Sequence, residues 1–306
     1  MEEPLTYPAA VRIREVGPRD GIQSEKADVP TADKIRLIDA LSATGLHYIE
    51  AISIVSPRAI PQMADAREVW SGIARKEGVV YSALVPNRKG AEVAAELGVD
   101  SLQVFIAASD SYNLKNVRKT TDDSFTDVED VVSVGREAGI PVEGTISTAF
   151  GCPYDGDVPP ARVVEVSRRM SDLGIGSISY GDTTGMGTPR RVREVVEALQ
   201  EALPRLTLNM HFHDTRGTGL ANVLTALEHG IDYFDASVGG MGGSPFAQGA
   251  TGNIATEDLV HMLVDMDIET GIDLEKLIEA GRVAQSFIEG ELPSKVLKAG
   301  PRWEVA

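Results

Sequence analysis

The sequence predicts an α/β fold, a (β/α)8 barrel of the TIM type, with extra helices at its C-terminal end. Two observations lead there. Eight strand-like runs alternate with helix-like runs, and a barrel of eight such units takes about 250–300 residues. The conspicuous polar residues also fall at the C-terminal ends of those strands, where such barrels carry their chemistry. A doubly wound open sheet shares the first observation, since alternation alone does not prove closure.

The strand-like runs are VRIREV (11–16), HYIEAISI (47–54), VVYSALV (79–85), SLQVFIA (101–107), VEGTIS (142–147), SISYGD (177–182), LTLNMHFHD (206–214) and YFDASV (233–238). Each is rich in β-branched or aromatic residues and too short for a good helix. Helical patterns lie between them. TADKIRLIDALSATG (31–45) offers Thr31 as a cap, apolar residues at helical spacing and Gly45 as a stop. PARVVEVSRRMSDLG (160–174) opens with a proline in its first turn and closes on Gly174. LEKLIEAGRVAQSFIEG (274–290) adds helix beyond the eighth unit. No Pro-, Gly- or Ser-rich linker divides the chain, so 1–306 reads as one domain, with the barrel over about 11–270 and a helical extension over about 271–306.

Of the 306 residues, 42% are hydrophobic, ample for a full core, and the formal net charge of −17 speaks against a nucleic-acid partner. An anionic substrate would need a local basic site, for which Arg19, Lys26, Lys115, Lys119 and Lys298 are the sources considered. There is no apolar run of about 18 residues, so no membrane partner is expected. The start MEEPLTYP lacks a signal peptide's basic and apolar regions, and the end PRWEVA carries no address. The single cysteine, Cys152, cannot form an intrachain disulfide. These features lead to an expected cytoplasmic location.

In an extended strand, residues two apart face the same side, so His211 and His213 point together into the barrel mouth and Phe212 points away. Two imidazoles with a carboxylate make a divalent-cation site, and Asp20, at the end of the first strand, is the natural carboxylate. A short H-x-H is often incidental, however, and Asp20 in PRDG is equally a turn residue. His47, His229 and His261 read as structural. The stretch SVGGMGGSPFAQGATGN (237–253) spends six glycines on one loop after the eighth strand, as either a path over a site or a phosphate-binding loop.

EVGPRDGIQSEK, IEAISIVSPRAIPQMAD, GCPYDGD, SYGDTTGMGTP, HFHDTRGTGLAN and GGMGGSPFAQGATGNIATEDLV, in that order along nearly the whole chain, resemble the 3-hydroxy-3-methylglutaryl-CoA lyase family. That family is similar to isopropylmalate and homocitrate synthases, which read RDGEQ where this chain reads RDGIQ and carry an additional C-terminal region. The resemblance implies a metal-dependent carbon–carbon lyase. Asp20, His211, His213 and Asn253 match the family's metal ligands, with Asn253 returned to the metal by the far end of the glycine loop.

The implied reaction splits a branched 3-hydroxyacyl-CoA into acetyl-CoA and a keto acid, acetoacetate for the methylglutaryl substrate. Mg²⁺ or Mn²⁺ is expected, with Zn²⁺ the alternative that two imidazoles keep open. Arg19 is the candidate for stabilising the enolate oxygen, Glu50 for holding Arg19, and Asp182 for accepting the hydroxyl proton, although Asp182 is equally a turn or cap residue. Ser244 stands where the family has a cysteine, and a hydroxyl is a far weaker acid than a thiol with a pKa near ~8.5. Three outcomes are therefore open: a methylglutaryl-CoA lyase, a lyase for another thioester such as citramalyl-CoA, and a metal- and CoA-binding homologue without turnover. The expected partners are an acyl-CoA thioester and a second copy of the chain in a homo-oligomer, a dimer.

Overall fold

The computed structural model describes residues 7–243 and 252–303. Eight parallel strands close in sequence order: β1 (Arg12–Glu15), β2 (Tyr48–Ser53), β3 (Val80–Leu84), β4 (Ser101–Ala107), β5 (Val142–Ser147), β6 (Ser177–Gly181), β7 (Thr207–His211) and β8 (Tyr233–Ala236). Closure is carried by β1 against β8, where Arg14 pairs in register with Asp235 and Glu15 with Ala236. The doubly wound alternative falls with that pairing.

The helices are α1 (Thr31–Ser42), α2 (Ala66–Gly72), α3 (Arg88–Leu97), α4 (Asp110–Val117), α5 (Thr121–Ala138), α6 (Pro160–Asp172), α7 (Pro189–Ala202), α8 (Gly219–Glu228), α9 (Thr256–Asp265), α10 (Leu274–Gln285) and α11 (Lys295–Ala299). Their apolar stripes bury against the strands' outer faces. Leu37, Ile38 and Leu41 do so from α1, and Val192, Val195, Val196 and Leu199 from α7. α10 packs on α1 and α9 after the last barrel unit. Among the described residues no helix is long and apolar enough to cross a membrane.

Two local expectations need correction. Thr31 does not cap α1. Pro30 occupies the cap position, and the Thr31 hydroxyl donates to Asp65 Oδ2 at 2.6 Å, because a side-chain acceptor on the neighbouring α2 lead-in competes successfully for it. The seventh strand ends at His211, short of His213, because Ile254 comes between the two strands there: its N–H donates to the Phe212 carbonyl and its carbonyl accepts from the Ser237 N–H, both at 3.1 Å. His213 instead forms an isolated antiparallel bridge with Asn253, so the returning glycine-rich segment takes over its pairing.

The barrel interior is partly polar. Arg14 crosses it from β1 to Glu143 on β5 at 3.0 Å and binds Asp235 on β8 with two parallel bonds of 2.8 Å. The aliphatic core lies mainly between sheet and helices.

Candidate active site

β1 ends in a single wide turn over Gly17–Gly21, where the backbone N–H groups of Arg19, Asp20 and Gly21 all approach the Val16 carbonyl, at 3.1, 2.7 and 3.4 Å. Pro18 suits the start of such a turn because it has no N–H to satisfy. The result places two consecutive charged side chains, Arg19 and Asp20, at the C-terminal end of the barrel. Arg19 donates from Nε to Glu50 Oε2 at 2.7 Å and from Nη1 to Asp20 Oδ1 at 2.6 Å, and its Nη2 lies 2.5 Å from Glu50 Oε2. Asp20 is a turn residue by its backbone, but its side chain serves no turn N–H. Its carboxylate accepts from the side chains of Arg19, Gln23 at 3.0 Å and Asn253 at 2.9 Å. Burial pushes the Asp20 carboxyl up, but Arg19, His211 and the hydrogen bond from Asn253 pull it down, and the balance lies below the usual carboxylate value.

At the end of β7 the alternation expected from the sequence persists one residue past the strand. Phe212 is fully buried against Phe150, with ring centroids 5.5 Å apart. His211 and His213 turn their Nε2 atoms toward each other at 3.2 Å, with His211 Nε2 4.0 Å from Asp20 Oδ2. One ligand atom from each of Asp20, His211 and His213 lies within 4.8 Å of the others. Burial and the neighbouring His211 push the His213 imidazole down to about 3, so that ring is neutral and one of its nitrogens has a lone pair for a cation.

The glycine-rich segment returns beside this group. Asn253 Nδ2 donates to the Met241 carbonyl and to Asp20 Oδ2, both at 2.9 Å, while its buried Oδ1 has no protein partner. The crossing is tight. A Cβ at Gly252 would come within 2.5 Å of the Gly240 and Gly242 carbonyl oxygens, so only glycine lets the two passes of chain lie together. Ser244 lies outside the described residues.

Two facing imidazole nitrogens, a carboxylate and an orphaned amide oxygen are a donor set with an excess of lone pairs. A divalent cation fits it, since burying such acceptors without a partner is costly.

Asp182, at the end of β6, divides its two oxygens between two environments. Oδ1 accepts from the backbone N–H groups of Met186 and Gly187, each at 2.8 Å, which is the turn role the sequence left open. Oδ2 is buried and has no protein partner. Burial pushes this carboxyl up to about 7 despite those two bonds. The other basic candidates lie apart from this arrangement: Lys119 pairs with Asp127, Lys298 with Glu291, Lys115 sits over the Tyr154 ring, and Lys26 is exposed.

Comparison with known proteins gives the family. A family model described as HMGL-like matches residues 10–284. The chain belongs to the HMGL-like family. It is 47% identical to the mitochondrial hydroxymethylglutaryl-CoA lyase of Gallus gallus, over 97% of this chain and 99% of that protein. It is also 47% identical to the 3-hydroxy-3-isohexenylglutaryl-CoA/hydroxy-methylglutaryl-CoA lyase of Pseudomonas aeruginosa, over 96% and 98%. An HMG-CoA lyase of Acinetobacter baumannii, solved with coenzyme A and 3-methylmalate, superimposes with a TM-score of 0.93 at 42% identity, covering 97% of each chain.

Two features of this HMGL-like chain escaped the sequence reading. Asp235 on β8 sits against His211 Nδ1 at 3.1 Å, and two buried glutamates anchor the turns that carry the site. Glu15 accepts from the N–H groups of Gly17 at 2.7 Å and Val238 at 2.8 Å, and Glu257 accepts from that of Gly239 at 2.9 Å. The missed signal was their position: Glu15 and Asp235 fall in runs read only as strand, and Glu257 in one read only as helix.

Burial pushes the Glu257 carboxyl up to about 8, against the bonds from its own N–H and that of Gly239. A carboxyl raised in the folded state gives stability that is fully present below its unfolded pKa near 4.5 and is lost as pH rises through about 8. Glu257→Gln keeps an acceptor for Gly239 but cannot ionise. The melting temperature of the wild type is therefore expected to fall by a few degrees more than that of Glu257→Gln between about pH 6 and pH 9. Parallel melting curves against pH would show that the carboxyl is not held neutral.

Proposed function

We propose that this chain cleaves 3-hydroxy-3-methylglutaryl-CoA to acetyl-CoA and acetoacetate, with a divalent cation held by Asp20, His211, His213 and Asn253. The observation that carries the reading is the convergence of Asp20, His211 and His213 beside the Arg19–Glu50 pair at the C-terminal end of the barrel. As a member of the family the chain is a carbon–carbon lyase that takes an acyl-CoA thioester.

In the proposed reaction the substrate hydroxyl loses its proton as the adjacent carbon–carbon bond breaks. The bond's electron pair passes to the thioester fragment as an enolate, and the other fragment leaves as a ketone. Asp182 is the proton acceptor in this reading, since one oxygen is pinned, the other is unpaired, and a pKa of about 7 suits a group that takes and returns a proton near neutrality. Arg19 meets the enolate oxygen. Its guanidinium is held in place by Glu50 and Asp20 and needs no reorganisation as the charge develops. A bound Mg²⁺ or Mn²⁺ would act as a Lewis acid on the hydroxyl and orient the departing ketone. Protonation of the enolate carbon completes acetyl-CoA, and Ser244 occupies the position that the family gives to a cysteine for proton handling.

The test is a screen of hydroxyacyl-CoA thioesters with Mg²⁺, Mn²⁺ or Zn²⁺ added to chelator-treated protein, reading acetyl-CoA and keto acid together. Equal release of both from the methylglutaryl substrate is expected, and no release from any thioester would leave only a binding role. The equal identity to the isohexenylglutaryl-acting relative makes a longer acyl branch the second substrate to include, with citramalyl-CoA as the third. Ser244→Cys is expected to speed cleavage of the methylglutaryl substrate by about 100-fold, because a thiol titrates nearer the working pH. No gain there, with good native turnover of another thioester, would reassign the substrate.

We take the working unit to be a dimer in the cytoplasm. Light scattering that returns a single chain's 32.7 kDa would exclude the first, and cell fractionation tests the second.

A further inference from the structure

We infer that Asp235 is the positioning residue of the metal site: it fixes the tautomer of His211, so that Nε2 is bare and aimed at the cation before any cation arrives. The inference rests on the reading of His211 as a ligand.

Asp235 and His211 are register partners on neighbouring strands, as are Asp235 and Arg14, so β7, β8 and β1 present all three side chains at one level of the barrel. Asp235 is 2% exposed, accepts four hydrogen bonds and lies against His211 Nδ1. Its Oδ1 takes Arg14 Nε at 2.8 Å and Asn209 Nδ2 at 2.6 Å. Its Oδ2 takes Arg14 Nη2 at 2.8 Å and Ser179 Oγ at 2.7 Å, and lies 3.1 Å from His211 Nδ1.

The two-pronged contact with Arg14 fixes the carboxylate plane, and Arg14 is itself tied across the barrel to Glu143.

A carboxylate that takes two parallel bonds from a guanidinium and two more from Ser179 and Asn209 offers only acceptor oxygens. The nitrogen of His211 facing it must therefore carry the ring's hydrogen when the imidazole is neutral, which leaves Nε2 as the lone-pair atom. That atom faces His213 at 3.2 Å and Asp20 at 4.0 Å. His213 has no such support, because its buried Nδ1 has no protein partner. The two histidines are therefore unequal: one is set by the protein and the other is free to settle on the ion. Support of this kind typically changes metal affinity or activity by about 10- to 100-fold.

The first test needs no variant. The chain has five histidines, so selective ¹⁵N labelling gives a spectrum simple enough to assign with His211→Ala. In metal-free wild-type protein at alkaline pH, His211 is expected to carry its hydrogen on Nδ1. A hydrogen on Nε2, or a mixture of tautomers, overturns the inference.

The second test measures Mn²⁺ affinity by calorimetry. Asp235→Asn is expected to weaken binding by about 10- to 100-fold with melting behaviour close to wild type, and to add nothing in a His211→Ala background. An unchanged affinity, or an equal loss in both backgrounds, overturns it. If Asp235→Asn fails to fold because Arg14 has lost its partner, the spectrum of the wild type still decides. If wild-type protein binds no Mn²⁺ while His211 carries its hydrogen on Nδ1, the ligand reading fails and the tautomer assignment stands.

Discussion

Arg19→Lys is expected to lower kcat by about 100- to 1,000-fold while changing KM only a few-fold, the size of effect seen when one donor to a developing oxyanion is removed. The guanidinium makes two contacts to Glu50 and one to Asp20 from a side chain that is 11% exposed. A lysine keeps the charge but not the planar fork, so it cannot hold Glu50 and Asp20 and still face a third oxygen in a fixed direction. The enolate exists only after the carbon–carbon bond has broken, so the loss falls on the transition state more than on substrate binding. Steady-state kinetics on the methylglutaryl substrate, with Mn²⁺ affinity measured alongside because Arg19 touches Asp20, check the result. An effect confined to KM would make Arg19 a binding group, and a parallel fall in Mn²⁺ affinity would locate the damage at Asp20.

His211→Ala is expected to weaken Mn²⁺ binding by more than about 100-fold, beyond the usual cost of losing a supporting partner alone, and to remove metal-dependent turnover. The fold should survive. The ring lies at the barrel mouth, and its departure leaves Asp235 with Arg14, Ser179 and Asn209 as donors. Far-UV circular dichroism and a melting curve would establish that, and calorimetry with Mn²⁺ would read the affinity. Wild-type affinity in this variant would remove His211 from the ligand set.

The candidate site was legible in the sequence wherever function needs a particular residue at a particular spacing. His211 and His213 share a face because strand geometry alternates, and they do so even though the strand proper ends at His211. The turn at Gly17–Gly21 and the glycines at 242 and 252 were legible as special backbone, because proline and glycine restrict or widen what the chain can do locally. Thr31 shows the limit of such local signals. Its hydroxyl was free to cap α1 by sequence alone, and an acceptor brought in from 34 positions away took it. Asp182 shows a different limit: the turn reading holds for one oxygen, and the other is left buried without a protein partner.

The sequence by itself determined the order of the elements, the strand ends that carry chemistry and the residue types available there. All of these follow from periodicity and from side chains whose chemistry does not depend on distant neighbours. Only the tertiary structure decided that β8 closes on β1, that Asp235 lies against His211, and that burial raises the Glu15 and Glu257 carboxyls beside the turns. The reason is physical. These outcomes rest on register between neighbouring strands, 24 positions apart for His211 and Asp235 and 221 for Arg14 and Asp235, and on burial, and a carboxyl's proton affinity is set by what surrounds it once the barrel has closed.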